Sequence, residues 1–408
     1  MNVVLQTNGK VLKLTTHIVT PVFAKLNLLG LLHIVHSTGK AIPIKINPVG
    51  DIYELHVYSS QGFEEEFVKT LISIAKQMLR SSEPQDEEKA KRKQKKRKQE
   101  MTGRKRIVIE WFEVDQRYLY SGSAATALLN SIENLISASN YSYSDLIELL
   151  MKATRHDMRS GGKSPTLLLA PDLGKYSTAQ IPYDSKYPNI VDKKLNRKED
   201  LYLCTAISLI GLHAGFKLRV IAKNFDDVYI AIPSPRKQLS GLRTSMLYWI
   251  GRRLSFLSQK IGAISTLKRE GRFSLSMPGL YAVLSPVIKD CVTSSSMLSA
   301  FEVVIYRITL EKGRGGGQYV RDFVSMGLDR VELLPDGISS VLLANINRLR
   351  DLIINVPEFF KLLGEYMLSG DDTMYVESLR VLASALHDRD ISNNVKAVIR
   401  EVLEHGTR

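Results

Sequence analysis

The residues with the greatest capacity for chemistry lie in the stretch EKGRGGGQYVR, residues 311–321, directly after the apolar run FEVVIYRITL. Glycines allow a close backbone approach that a Cβ atom would hinder. Basic side chains bind phosphate, a glutamine can hydrogen-bond a base edge or act as a wedge, and a tyrosine can stack on a base. The stretch predicts nucleic-acid contact, with a hairpin tip of no binding function as the alternative. The candidate residues are Lys312, Arg314, Gly315, Gly316, Gln318, Tyr319 and Arg321.

A second group of basic side chains lies between residues 236 and 272, where Glu270 is the only acidic residue. Apolar residues recur there at steps of three or four, which predicts one long amphipathic helix. They are Leu239, Leu242, Met246, Ile250, Leu254, Leu257, Ile261 and Ile264. Off this stripe lie four cations that we expect to contact phosphate, with a solvated helix face as the alternative. These are Arg243, Arg252, Arg253 and Lys260.

A third basic segment carries eleven Lys or Arg residues between Lys89 and Arg106. It has too few apolar residues to pack into a core, so we expect a mobile insertion or a solvated helical extension at 81–106. Such a run binds polyphosphates non-specifically, and it can also serve only to raise solubility. The candidate nucleic-acid contacts in this basic segment are Lys95, Lys96 and Arg97.

The chain as a whole carries a net charge of +14 over 408 residues. Residues 331–408 contain eight Lys or Arg against twelve Asp or Glu, a balance of −4, so the first 330 residues carry +18. This excess predicts a polyanionic partner for the first part of the chain and a protein-docking role for its tail. A membrane is the weaker partner, because the longest apolar run, residues 201–216, is shorter than a bilayer requires.

Two further features indicate a cytoplasmic protein. The N-terminus alternates like a strand and lacks the layout of a signal peptide. Only Cys204 and Cys291 are present, far apart and without metal-binding spacing. We expect both to be free thiols in a reducing compartment, with a disulfide as the alternative.

The sequence offers no persuasive catalytic site. The GGKS stretch at 161–164 lacks the preceding glycine of a phosphate-binding loop, because Asp157 stands in its place, and Pro165 follows directly. Histidine–aspartate pairs occur at 156–157 and 387–388, but Arg155 and Arg159 beside His156 would repel a divalent cation, and His387 is interpreted as an exposed residue at the end of a helix. The aspartate pairs at 226–227 and 371–372 are interpreted as caps at turns. We therefore predict a non-enzymatic protein with no catalytic residue, no metal and no cofactor.

The pattern of elements predicts an α+β fold. An N-terminal α/β domain, residues 1–237, is expected to contain a helix ending before Gly39, a hairpin turning at residues 48–51, and the basic insertion at 81–106. A helix-rich C-terminal domain, residues 238–408, is expected to contain the Gly-rich loop at 311–321. The domain would end in a helical bundle over 331–408.

Three stretches together resemble the large subunit of an archaeal type I (type I-A-like) CRISPR Cascade interference complex. They are TPVFAKLNLLGLLHI near the N-terminus, IPYDSKYPNIVDKK in the middle, and the tail from VELLPDG to KAVIREVLEHG. The resemblance implies a non-enzymatic subunit in antiviral defence that binds crRNA and target double-stranded DNA. It would help to read the protospacer-adjacent motif and to start the R-loop.

The same resemblance implies that the loop from Gly313 to Gln318, with Arg314, probes the motif. It also implies docking to other Cascade subunits and to the Cas helicase-nuclease. The alternative function is a defence-associated nuclease or RNA-processing enzyme. Such an enzyme would use His156 with Asp157, or a Gly-rich-loop RNA-binding fold.

Overall fold

The structure is a computed structural model that describes most of the chain outside the basic insertion, the central segment and the Gly-rich loop. The described residues are 9–16, 21–50, 52–79, 107–109, 112–114, 142–151, 207–208, 210–212, 214–221, 225–265, 275–291, 295–311 and 318–406. The predictions for 81–106 and for 312–317 therefore lie outside them.

The first sheet has four strands in the order β1 (Lys10–Thr15), β3 (Ile52–Ser59), β2 (Ala41–Val49) and β8 (Leu239–Ser240), with β3 antiparallel to both β1 and β2. The hairpin between β2 and β3 turns at Gly50, whose φ of 59° favours glycine, and this confirms the predicted turn. The helix before it ends at Thr38, just ahead of Gly39, as predicted. The first two helices are α1 (Pro21–Thr38) and α2 (Phe63–Leu79).

The second sheet has five strands in the order β11 (Gln318–Gly327), β10 (Phe301–Glu311), β7 (Phe225–Pro235), β6 (Phe216–Ile221) and β9 (Ile264–Ser265). Its longest pairing joins β7 to β10, from Pro235 opposite Phe301 to Phe225 opposite Glu311. Segments on both sides of residue 237, where the sequence places a domain boundary, thus belong to one sheet. A separate short pair is β4 (Ile107–Ile109) with β5 (Phe112–Val114).

Helices dominate the C-terminal part, so the α+β fold class is confirmed. The long basic helix spans residues 242–261, shorter than its apolar stripe suggests, because the residues at both ends of the stripe form strands β8 and β9. The remaining helices are α3 (Tyr143–Met151), α4 (Leu242–Ile261), α5 (Met277–Asp290), α6 (Ser295–Leu298), α7 (Asp336–Ala344), α8 (Leu349–Asn355), α9 (Pro357–Ser369), α10 (Asp372–Ala385) and α11 (Asn393–Gly406).

Helix α1 lies at the centre of the core, and most of its side chains are buried. It packs against α2, β2, β3, β7 and α4. Gly30 on α1 faces Gly211, which lies in the helical residues 210–212, and a Cβ atom on either glycine would collide with a backbone carbonyl, that of Ile207 or of Leu26. Only glycine lets the two backbones approach this closely.

A half-buried polar cluster joins α1 to both sheets. Lys25 donates from Nζ to Tyr53 Oη on β3 at 2.8 Å and to Ser234 Oγ on β7 at 3.1 Å. The same ammonium group lies 3.3 Å from Glu302 Oε1 on β10, and Ser325 on β11 donates to the other oxygen of that carboxylate at 2.6 Å. Because the charges are paired and hydrogen-bonded, this half-buried junction is tolerated inside the protein.

Gly30→Ala tests the close crossing. The added methyl group would force two backbones apart, which we expect to lower the free energy of unfolding by about 3 kcal/mol. The better helix propensity of alanine offsets about 1 kcal/mol, so the net loss should be about 2 kcal/mol in urea unfolding.

Ser37→Ala is the matched control, because it lies exposed on the same helix. It should change stability by no more than about 0.5 kcal/mol. Equal stability of the two variants would show that α1 does not depend on the glycine contact.

Candidate nucleic-acid interface

Helix α4 has an inner face that fixes its position against the core. The inner residues include Leu247, Ile250, Leu254 and Leu257, all fully buried. Ser258 on the same face donates to the Lys217 carbonyl at 2.6 Å and accepts from the Lys217 amide at 3.2 Å, which ties the helix to strand β6. The outer face of α4 is therefore held in a fixed orientation.

That outer face combines cations with aromatic rings. Trp249, Arg253, Phe256 and Lys260 follow one another at steps of four, three and four residues, so they form one stripe along the helix. Trp249 is 56% exposed and Phe256 is 42% exposed. Arg252 is exposed beside this stripe. We call these five residues the outer face of α4.

A stack of rings supports Trp249 from below. The His36 ring on α1 stacks on Tyr248 with centroids 4.2 Å apart and planes inclined by 15°. Trp249 meets the same tyrosine edge-on, with centroids 5.3 Å apart. Arg252 donates from its guanidinium to Tyr248 Oη at 3.2 Å. The contacts restrict the freedom of both the tryptophan and the arginine.

The other two cations of the face have different partners. Lys260 lies over the Phe256 ring with Nζ 5.3 Å from the centroid, a cation–π contact that leaves the charge facing outward. Arg253 lies 3.3 Å from the Asp290 carboxylate on α5, so part of its charge is offset. Arg252 and Lys260 are thus the stronger candidates for phosphate.

Arg243 does not join this face, although the sequence groups it with the others. It lies about 120° around the helix axis from Trp249 and is half-buried. By contrast Leu242, which the sequence assigns to the apolar stripe, is 80% exposed. Both differences follow from position around the helix, because Arg243 lies within about 20° of the buried Ile250 and Leu242 lies within about 20° of the exposed Trp249.

Trp249 and Phe256 are not among the contacts predicted from the sequence. Their signal is present in the sequence, because both lie off the apolar stripe and at the same helical angle as Arg253 and Lys260. Large aromatic residues are ordinarily assigned to a core. Only the burial pattern shows that these two rings are turned outward.

The hairpin of β10 and β11 carries the other predicted contacts. Arg321 is exposed and occupies a β-bulge, since Arg307 pairs with Asp322 while Ile308 pairs with Val320. The backbone of Gln318 and Tyr319 forms the start of β11, and their side chains lie outside the described set. Seven of the predicted contacts lie outside the described residues. They are Lys312, Arg314, Gly315, Gly316, Lys95, Lys96 and Arg97.

A buried ion pair anchors this hairpin to β7. Arg307 donates to Asp227 Oδ2 from Nε at 3.1 Å and from a terminal nitrogen at 2.5 Å, and Thr309 donates to Oδ1 at 2.6 Å. The prediction that Asp227 caps a turn is wrong, because the residue lies inside a strand and is 3% exposed. The capping prediction is confirmed for Asp371, which accepts from the Thr373 amide at 2.9 Å.

The described residues give little support to catalytic chemistry. Among them, no group of three or more His, Cys, Asp or Glu side chains could hold a metal ion. Cys291 is a free thiol whose pKa burial raises to about 11, which disfavours the reactive thiolate. No helix in the described part of the chain is long and apolar enough to cross a bilayer. The His156–Asp157 pair lies outside the described residues.

Comparison with known proteins leaves the site to be interpreted from its own residues. No protein-family model matches the chain, and no curated protein shows significant sequence similarity to it.

The support beneath the outer face is sensitive to pH. Burial, together with the smaller effect of the neighbouring charges of Arg252 and His36, lowers the pKa of His33 to about 4. Burial also lowers the pKa of His36. Both imidazoles are therefore neutral at pH 7 in the folded protein.

Below about pH 6.5 the unfolded chain binds a proton at His33, whereas the folded chain does not until about pH 4. Stability is accordingly lost as the pH falls through this window.

His33→Gln should remove that part of the pH dependence. Between pH 7 and pH 4.5 the wild type should lose about 2 to 3 kcal/mol more stability than the variant in urea unfolding. His387→Gln, at an exposed position, is the control and should lose as much as the wild type. The same loss in the His33 variant as in the wild type would contradict a neutral buried imidazole.

Proposed function

We propose that the protein binds nucleic acid through the outer face of α4. The observation that carries the proposal is the charge of the segment that contains this helix. Residues 236–265 hold six Lys or Arg and no Asp or Glu. A solvated helix face ordinarily mixes both signs, because opposite charges stabilise an exposed helix. The outer face of α4 carries Arg252, Arg253 and Lys260, with Asp290 of α5 beside Arg253, so its balance is positive and favours an anionic partner.

The contacts of the individual cations support phosphate binding. Arg252 and Lys260 contact the neighbouring rings of Tyr248 and Phe256, which leaves their positive charges to act on a ligand. Arg348 and Arg350 are exposed in the segment 346–355, which packs against α4. They extend the basic surface beyond the helix. Phosphate contacts of this kind supply affinity without sequence preference.

The finer role follows from the sequence resemblance. We propose that the chain is the non-enzymatic large subunit of a crRNA-guided Cascade complex in the cytoplasm. It would bind crRNA and target double-stranded DNA, and it would read the protospacer-adjacent motif with Arg314 and Gln318. Purification from the host tests this role, because crRNA and other Cascade subunits should accompany the chain.

The acidic tail supplies the proposed protein-docking surface. Residues 331–408 carry −4 in a chain of +14, so they are poorly suited to nucleic acid. Helices α7 to α11 lie in this segment. We propose that they dock other Cascade subunits or the Cas helicase-nuclease.

Replacing both Arg252 and Lys260 by Gln tests the proposed face. Each lost phosphate contact lowers the slope of log K against log salt by about 0.9 for duplex DNA, so the double variant should lower it by about two. Affinity at low salt should fall for every duplex sequence alike. The measurement is a salt titration of binding to a fluorescent duplex.

Arg380→Gln with Lys396→Gln is the matched control, because it removes the same charge from the acidic tail. Arg380 is 72% exposed and Lys396 lies on α11. This control should leave the slope unchanged. If both double variants behave alike, binding depends on total charge, and the proposed face is refuted.

Motif reading by the Gly-rich loop has its own test. Arg314→Ala should weaken binding by about 1 to 3 kcal/mol if this residue reads a base, and only on duplexes that carry the motif. The measurement compares matched and motif-mutated duplexes within the assembled complex. A loss that is equal on both duplexes would reduce Arg314 to a phosphate contact.

A further inference from the structure

We propose that the outer face of α4 binds a single strand, whose bases stack on Trp249 and Phe256 while Arg252 and Lys260 hold its phosphates. This inference rests on the proposed nucleic-acid function and specifies the form of the ligand. Phosphate contacts alone do not distinguish a duplex from a single strand. The two exposed rings do make that distinction.

The exposure of these rings is the first argument. Trp249 and Phe256 leave about half of their surfaces in water, although both belong to residue types that bury large areas when a core is available. Aromatic rings interleaved with cations are what single-stranded nucleic acid requires, because each base has a flat face and each nucleotide a phosphate. A duplex keeps its base faces covered by neighbouring pairs, so it would leave both rings without a partner.

The spacing of the rings is the second argument. Seven residues separate them along the helix, which is a rise of about 10.5 Å, close to three base steps of about 3.4 Å. Arg253 lies between the two rings on the same stripe, and Lys260 lies one turn beyond Phe256. A short run of nucleotides can therefore reach both rings and the cations with its backbone parallel to the helix.

The rigidity of the tryptophan is the third argument. Its neighbour Tyr248 is held by the stacked His36 ring and by the hydrogen bond from Arg252. Because the platform is ordered before a ligand arrives, less side-chain entropy is lost on binding. A protein partner with an apolar helix could also cover these rings. However, the outer face carries Arg252, Arg253 and Lys260, and only Asp290 of α5, beside Arg253, is described as an acidic neighbour of these cations, so a polyanion is favoured.

The main test replaces both rings, as Trp249→Ala with Phe256→Ala in the full chain. The probes are a fluorescent oligothymidylate of about fifteen nucleotides and a duplex of the same length. One stacked base contributes about 5- to 150-fold in affinity. We expect single-strand binding to weaken at least 10-fold and duplex binding to change less than 3-fold. A single Trp249→Phe variant, with Phe256 intact, should keep most of the wild-type single-strand affinity, because it retains an aromatic ring at position 249.

The pair Arg252→Gln with Lys260→Gln serves as the charge arm of the same experiment. It should weaken binding to both probes, since both carry phosphates. Leu242→Ala is the apolar control, because it removes an exposed side chain near the start of the same helix. It should leave binding to both probes unchanged. The urea unfolding midpoint of every variant checks that the fold is intact.

Fluorescence gives a direct readout of stacking. The chain contains two tryptophans, so Trp111→Phe leaves Trp249 as the sole reporter. Oligothymidylate should quench its emission in a saturable way, and the duplex should quench it far less. Unchanged emission at saturating oligothymidylate would overturn the proposal.

The outcomes separate this inference from the function on which it rests. If the ring variant binds both probes normally while the charge variant weakens both, stacking is refuted and phosphate binding stands. If neither variant changes binding to either probe, both proposals fail at this face. If the ring variant binds normally but loses a protein from the assembled complex, the face is a protein interface and the single-strand proposal is overturned.

Discussion

The close contact between Gly30 and Gly211 is the constraint on which the rest of the structure depends. Two backbones meet there without side chains between them, so α1 lies deeper in the core than an ordinary helix crossing allows. From that position α1 reaches both sheets and the inner side of α4 at once. Gly251 on α4 continues the same packing, because a Cβ atom there would press on Leu29 of α1.

Helix α1 therefore links the core to the proposed binding face. One part of it carries Lys25, whose ammonium group joins the two sheets through Tyr53, Ser234 and Glu302. Its last turns carry His36, which stacks on Tyr248 beneath the exposed tryptophan. The Tyr248 ring of α4 thus stacks on a neutral, half-buried imidazole, whereas the cations of the proposed binding face are exposed.

Charge is arranged in a similar way across the chain. The buried carboxylate of Asp227 in the second sheet is matched by the guanidinium group of Arg307. The outer face of α4 presents cations, and the tail has an acidic balance. Such a distribution suits a protein that holds a polyanion on one surface and a protein partner on another, with long-range steering toward the basic surface.

The sequence by itself determined the α+β class, the turn at Gly50, the end of the first helix and the basic character of α4. These features depend on local backbone preference, residue periodicity and composition, which are present in any short window of the chain. Tertiary structure alone decided that strands on either side of residue 237 share one sheet, and that Asp227 is a buried ion-pair partner. It also decided that Trp249 faces water while Arg243 is half-buried. These outcomes depend on which distant segments meet, and neither periodicity nor charge encodes a contact between residues 80 or more positions apart, such as Asp227 and Arg307.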